Sequence, residues 1–474
     1  MMQESWEAVI GLEVHAQISS KRKLFSHAST EFNTNHNTQV SLVDAAMPGT
    51  LPILNDYCID QAILTGIALS AEINQKSSFD RKNYFYPDLP QGYQITQFFE
   101  PIVKNGIIYI TENKKKVRIA RIHLEQDAGK MIHGETNSYI DLNRAGIALM
   151  EIVSEPDLSS SQEAAEFVKK LRQLMRYIGV CDGNMETGSL RCDINVSIRV
   201  QGSNTLGTRC EIKNLNSIRY IIQAIDYEIQ RQIDILKSGK EISQDTLLFD
   251  SLLGQTRVMR NKENASDYRY FPEPDLFFLQ INQNRIDRIK SMLPELPEQK
   301  KLRYIEQFGL TEYDANILTY DQATASYFEI LIKKHHPKIV VSWLTVELFG
   351  RLNKASLHIM HSPITSESLS KLLDFIVDGT ISGKLGKQIF DIMFKTGQTA
   401  SEIIEEKNLK QITSKKQILE SIENILKYHQ DKVIEYKKGK KKLYKFFIGE
   451  VMKETHGKAS PNIVNDLLNQ KLDH

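Results

Sequence analysis

Residues 189–200 read "SLRCDINVSIRV", and they alternate without a break. Leu190, Cys192, Ile194, Val196 and Ile198 face one way; Arg191, Asp193, Asn195, Ser197 and Arg199 face the other. A helix repeats its faces every ~3.6 residues, so a period of two this long dictates a strand with one apolar and one polar side. Such strands belong in an antiparallel sheet covered on one face. "VIGLEVHAQI" (9–18) follows the same rule, with Ile10, Leu12, Val14, Ala16 and Ile18 against Glu13, His15 and Gln17. "GTRCEIK" (207–213) comes after the turn residues "QGSN" and pairs with 189–200 as a hairpin, carrying Arg209, Glu211 and Lys213 on one side.

Two long helices interrupt the strands. In "SSSQEAAEFVKKLRQLMRYIGV" (159–180), Ser160 and Glu163 have capping-box spacing, Phe167, Leu171, Leu174 and Ile178 form a stripe, and Gly179 is a stop. A second helix runs through "SIRYIIQAIDYEIQRQIDILKSGK" to Gly239. Pro272 and Pro274 in "DYRYFPEPDL" (267–276) preclude a helix there. Beyond Pro294 strand periodicity disappears, and short helical stretches follow one another between stops such as Gly309, Asp378–Gly379 and Gly397. Ser460–Pro461 suits the cap and first turn of a final helix. The expected class is α+β. A sheet domain spans 1–293, an all-helical domain 294–405 and a basic helical tail domain 406–474.

A chain of 474 residues exceeds one typical core, in keeping with several domains. Lys+Arg number 60 against Asp+Glu 59, for a net charge of +1, so contact with nucleic acid must come from local patches. No apolar run approaches the ~20 residues of a membrane helix, and no signal peptide is visible at the N-terminus; the expected location is cytoplasmic. The four cysteines form no C-x-x-C pair, which argues against a zinc knuckle or disulfide framework.

The polar sides of the strands carry the chemistry. If 117–127 is extended, Arg121, His123, Glu125 and Asp127 share a face, with Ile122, Leu124 and Gln126 opposite. In 138–158, Glu151 and Glu155 share a side with Ile147, Leu149 and Val153. The candidates for one polar surface are therefore Glu13, His15, Glu125, Glu151, Arg191, Asp193, Glu211 and Lys213. Carboxylates with a histidine suit magnesium or manganese carrying a nucleotide, and interleaved cations suit its phosphates. A solvated sheet face is the alternative. No Walker A or G-x-G-x-x-G sequence follows a strand, which excludes the ordinary phosphate-loop and dinucleotide folds.

Longer motifs say more. "VIGLEVHAQISSKRKLFS", "FDRKNYFYPDLPQGYQITQ", "RIHLEQDAGK", "DLNRAGIALMEIVSEPD", "METGSLRCDINVSIR", "EIKNLNS", "DYRYFPEPDL" and "GEVMKETHGKASPNIVNDLL" occur in this order over essentially the whole chain. Together they resemble the B subunits of the tRNA-dependent aspartyl/glutamyl amidotransferases. The resemblance implies a catalytic cradle like the glutamine synthetase/guanido kinase fold, working in a heterotrimer with an amidase (the A subunit) and a small third chain (the C subunit). It also implies ATP, with Mg2+ or Mn2+, as the means of phosphorylating the side-chain carboxylate of mischarged Glu-tRNA(Gln) or Asp-tRNA(Asn). Ammonia from the amidase then gives the amide.

Residue by residue, the resemblance assigns the metal to Glu13, His15, Glu125 and Glu211, with Glu151 and Asp193 as further ligands or orienting groups. It assigns ATP phosphates to Arg81, Arg191 and Lys213. In the tail, Lys437, Lys438, Lys440, Lys441, Lys442, Lys453 and Lys458 are assigned to the tRNA backbone, a contact sensitive to salt. Two departures bear on the metal. Gln126 stands where the family has a second glutamate, and Thr187 stands for another. Gln can coordinate through its carbonyl oxygen but brings no charge. The cysteine cluster that some family members carry near 26–45 is missing here, so no zinc is expected. The rival expectation is a tRNA-binding scaffold for the amidase, disabled in phosphoryl transfer by the lost carboxylates.

Overall fold

The computed structural model describes residues 5–32, 34–110, 115–261, 268–407, 409, 415–455 and 459–472. The chain forms two compact units, Met1–Gln299 and Lys300–His474. Strands of the first are β1 (Trp6–Gln17), β2 (Glu72–Ile73), β3 (Lys76–Ser77), β4 (Asp80–Asn83), β5 (Tyr93–Thr96), β6 (Val103–Ile110), β7 (Lys115–Gln126) and β8 (Lys130–His133). After them come β9 (Ser138–Asp141), β10 (Ala148–Ser154), β11 (Leu190–Val200), β12 (Cys210–Leu215), β13 (Asp245–Asp250), β14 (Gln255–Asn261), β15 (Phe271–Pro272) and β16 (Leu279–Gln280). Its helices are α1 (Asp56–Ala68), α2 (Ser161–Tyr177), α3 (Ile218–Lys237) and α4 (Gln283–Met292).

Nine strands make one sheet in the order β14-β13-β12-β11-β1-β10-β7-β6-β2. The expected hairpin of β11 with β12 is present and antiparallel. The sheet is nevertheless mixed, because β12 and β13 run parallel. The cause is α3: after β12 the chain spends this helix returning, so β13 enters in the same direction.

The alternation in the sequence decides which side is covered. Ile10, Leu12, Val14 and Ala16 of β1 and Cys192, Ile194 and Val196 of β11 are fully buried, in one core with Phe167, Val168 and Leu171 of α2 and Ile221, Ala224 and Ile225 of α3. Each large side chain so buried contributes roughly 1.5–3 kcal/mol. Ser160 caps α2 by accepting from the Glu163 N–H. The Glu163 carboxylate, however, accepts from the Ser159 N–H and from Lys115, one residue off the reciprocal capping box. Leu293, at the expected boundary, and Leu296, three residues beyond it, also pack against this core.

The described residues of the second unit are helical. One core is built from Tyr304 to Ile404 and another from Ile418 to Leu472. Within the first, Pro337–Ser342, a π-helical turn Trp343–Leu348 and Phe349–Lys354 follow without interruption.

Candidate active site

The uncovered side of the sheet floors a cavity of about 710 Å³. Glu13, His15, Glu125, Glu151, Arg191, Asp193, Glu211 and Lys213 all line it. Strand register explains their meeting. Glu151 of β10 stands opposite His15 of β1 on one side and His123 of β7 on the other. His15 in turn stands opposite Arg191, and Glu13 opposite Asp193.

Nε2 of His15 lies 3.3 Å from Oε2 of Glu151 and 3.5 Å from Oε1 of Glu125. His123 Nε2 lies 3.2 Å from the same Glu151 oxygen and 3.6 Å from Oε2 of Glu125. Burial alone would lower the His15 imidazole, but the hydrogen bond and charge of Glu151, with Glu125 and Asp193 behind it, raise it to about 8. Burial likewise opposes His123, yet Glu151 and Glu125 raise it to about 9. Glu151 is held well below the carboxylate range: burial would raise it, and the two imidazoles override that. Glu13 goes the other way, raised by burial and by the neighbouring charges of Glu151, Glu211 and Asp193, against a hydrogen bond from Asn195 at 2.9 Å.

Cations alternate with these acids. Arg191 donates to Asp127 at 3.1 Å, and Arg144 holds the other oxygen of that carboxylate at 2.8 and 3.1 Å. Burial would raise Asp127, but Arg191 and Arg144 keep it low. Lys213 reaches both Asp193, at 3.2 Å, and Glu211, at 3.0 Å.

A divalent cation fits this donor set. One ligand atom each from His15, Glu125 and Glu151 lie within 4.8 Å of one another, and oxygen donors with one imidazole are hard-cation ligands. Glu13 is raised first by burial and then by the charges of Glu151, Glu211 and Asp193, and a cation would relieve the second of these. Among the described residues, Nδ1 of His123 is buried without a hydrogen-bond partner, while its Nε2 meets the two carboxylates.

Other candidates lie elsewhere. Arg81 is not among the residues lining the cavity: it grips Glu273 at 2.7 and 2.8 Å and Asp275 at 3.1 Å. Gln126 points away from Glu125, as strand alternation requires, and donates to Gln91 at 2.8 Å. Thr187 sits in the turn before β11, its N–H on Asn184. In the tail Lys437, Lys438, Lys440, Lys441, Lys442 and Lys453 are exposed, although Lys440 pairs with Glu435 and Lys441 lies over the Tyr436 ring. Lys458 lies outside the described residues. Sequence reasoning left His123 and Asp127 out of the candidate set, although both alternate in step with Glu125. It also omitted Tyr84, Phe98, Tyr268 and Tyr270 of the cavity wall.

Comparison with known proteins gives the family. Residues 8–287 match the model of the GatB/GatE catalytic domain, and 326–472 match the GatB domain. The B subunit of the aspartyl/glutamyl-tRNA(Asn/Gln) amidotransferase from Wolbachia pipientis wMel is 72% identical over 474 residues, the whole of both chains. Proteins of the same name from Ehrlichia chaffeensis and Rickettsia rickettsii are 57% and 56% identical, over 98% or more of each chain. With a carboxylate–histidine cavity on its sheet and full-length likeness of this order, the chain belongs to the family of aspartyl/glutamyl-tRNA(Asn/Gln) amidotransferase B subunits.

Proposed function

We propose that the chain uses ATP to phosphorylate the side-chain carboxylate of glutamate or aspartate on a mischarged tRNA, Glu-tRNA(Gln) or Asp-tRNA(Asn), and then turns the acyl phosphate into an amide. The observation that carries this reading is the cavity in which carboxylates, two imidazoles, Arg191 and Lys213 converge. A carboxylate resists ammonia because hydroxide is a poor leaving group. One of its oxygens therefore attacks the γ-phosphorus of ATP, and the bond to ADP breaks. Ammonia adds to the acyl carbon and loses a proton, and phosphate departs with that oxygen. The ammonia comes from glutamine hydrolysed in a partner amidase, the A subunit, in a complex completed by a small C subunit and working in the cytoplasm.

The chain's own residues do three things. Arg191 and Lys213 face the phosphates, where two anions must be brought together. Asp127 and Arg144 hold Arg191 in place. Glu151 and Asp193 orient His15 and Lys213 through the contacts above. Glu13, His15, Glu125 and Glu211, with Glu151 beside them, would hold a magnesium or manganese ion, which when bound supplies charge against the repulsion of triphosphate and carboxylate. The Gln126 substitution lies off this set, which favours the enzyme over the scaffold reading. The sheet unit would be a cradle of the glutamine synthetase/guanido kinase kind, while the helical and tail domains hold tRNA through the exposed lysines.

The test is ADP formation by the chain assembled with its amidase partner, with ATP and magnesium, each mischarged tRNA being added separately. ADP released only with a mischarged tRNA supports the reading and identifies the substrate. Binding of tRNA without ADP from either favours the scaffold.

A further inference from the structure

Tyr84, Phe98, Tyr268 and Tyr270 line the same cavity as the carboxylates, and none of the four belongs to the hydrophobic core of the unit. Phe98 lies flat on Tyr270, 4.0 Å between ring centres and 9° between planes, yet remains 49% exposed. Tyr84 and Tyr270 meet Tyr268 edge to face at 6.2 and 6.0 Å. The Lys82 ammonium stands 5.0 Å from the centre of the Tyr268 ring. Aromatic area grouped in the wall of a polar cavity, outside any core, is the mark of a ligand surface.

Distant parts of the chain are pinned together to build this wall. β15 pairs with β4, setting Phe271 opposite Arg81. Arg81 clamps the buried Glu273 with two hydrogen bonds, and its guanidinium lies over Tyr93. The Asn83 amide donates to the carbonyls of Tyr268 and Arg269, at 3.0 and 2.8 Å. Between the two wall tyrosines, Arg269 has φ of 42°, in the left-handed region. A non-glycine residue persists there only when its surroundings impose it, and such residues cluster at ligand sites.

We infer that this wall is a nucleobase subsite, stacking the adenine ring of one adenosine-bearing substrate while the sheet handles its phosphate or ester end. Flat, electron-rich faces with a nearby ammonium suit a stacked base. The inference rests on the proposed function, which brings two adenosines to this cavity: that of ATP and that at the 3′ end of tRNA. Arg81 then acts as a positioning residue for the wall and makes no phosphate contact.

The test uses the full chain assembled with its amidase partner and two fluorescent probes, 2-aminopurine riboside triphosphate and a tRNA ending in 2-aminopurine. Stacking quenches 2-aminopurine, so the probe that occupies the wall loses fluorescence on binding. Tyr268→Leu restores that signal and weakens that ligand about ten- to hundredfold, whereas Tyr268→Phe keeps the ring and the affinity within about threefold. Phe98→Leu serves the same purpose if Tyr268→Leu does not assemble. Quenching of the triphosphate assigns the wall to ATP, and quenching of the tRNA assigns it to the terminal nucleotide. No quenching of either, or quenching that neither leucine variant relieves, overturns the inference. ADP formation is followed in parallel. Turnover without quenching removes the subsite alone, and quenching without turnover upholds a nucleobase site while removing the functional reading.

Discussion

Oε2 of Glu151 lies 3.3 Å from Nε2 of His15. The same oxygen is 3.2 Å from Nε2 of His123, so one carboxylate sets the orientation of two imidazoles. Glu151→Gln keeps the shape and removes the charge that raises both rings. A loss of about 100-fold in tRNA-dependent ATP cleavage is expected, with tRNA affinity unchanged, and the same pattern for His15→Ala. ADP assays beside filter binding of tRNA check this. Unchanged cleavage in His15→Ala would remove that residue from the site.

Gln126→Glu restores a carboxylate that the family usually has. Because Gln126 donates to Gln91 and not into the cavity, the magnesium dependence of ADP formation is expected to match the parent's. A magnesium titration of the variant against the parent decides it. A midpoint moving to lower magnesium would place position 126 among the metal's neighbours.

Asp127 is buried between Arg144 and Arg191. Asp127→Asn leaves Arg191 without the charge that aims it. The catalytic efficiency with ATP is expected to fall about 10- to 100-fold. The first unit loses roughly 1–2 kcal/mol, since the two charge-assisted pairs go while the arginines, 26% and 36% exposed, keep part of their hydration. Steady-state kinetics and urea unfolding report the two effects separately.

In the second unit, Glu347 of the π-helical turn is bound by Lys387 and by Arg351 at 2.9 Å. Burial would raise its carboxyl, but the two cations hold it below its ordinary value of 4.5. A depressed acid stabilises the fold above its unfolded value, and that contribution disappears as pH falls through the lower, folded one. Glu347→Gln should therefore cost about 1.5–3 kcal/mol near neutral pH, with the gap to the parent narrowing below about pH 4. Fluorescence of Trp343, in the same turn and buried, follows this unfolding once Trp6 is replaced by Phe.

The polar face was legible because a period of two assigns each strand's sides: all eight residues collected from alternation line the cavity. Strand order was not legible. Only the placement of β10 between β1 and β7 sets Glu151 against both His15 and His123, which is why His123 was passed over. Arg81 was assigned to phosphate from its motif, yet its partner Glu273 comes from a distant segment that no local spacing reveals. The helix α1 escaped notice for a different reason. Its residues Cys58, Ile59, Ala62, Ile63 and Leu64 are buried on nearly every side, leaving no amphipathic stripe to detect. The parallel pairing of β12 and β13 follows from where α3 returns the chain, a tertiary fact.

In the proposed reaction an oxygen of the amino acid's carboxylate leaves with phosphate. Glu-tRNA or Asp-tRNA whose side-chain carboxylate carries oxygen-18 is supplied to the assembled complex with ATP and glutamine, and the inorganic phosphate is weighed by mass spectrometry. One oxygen-18 is expected in each phosphate released during amide formation. Unlabelled phosphate accompanying labelled amide would contradict it.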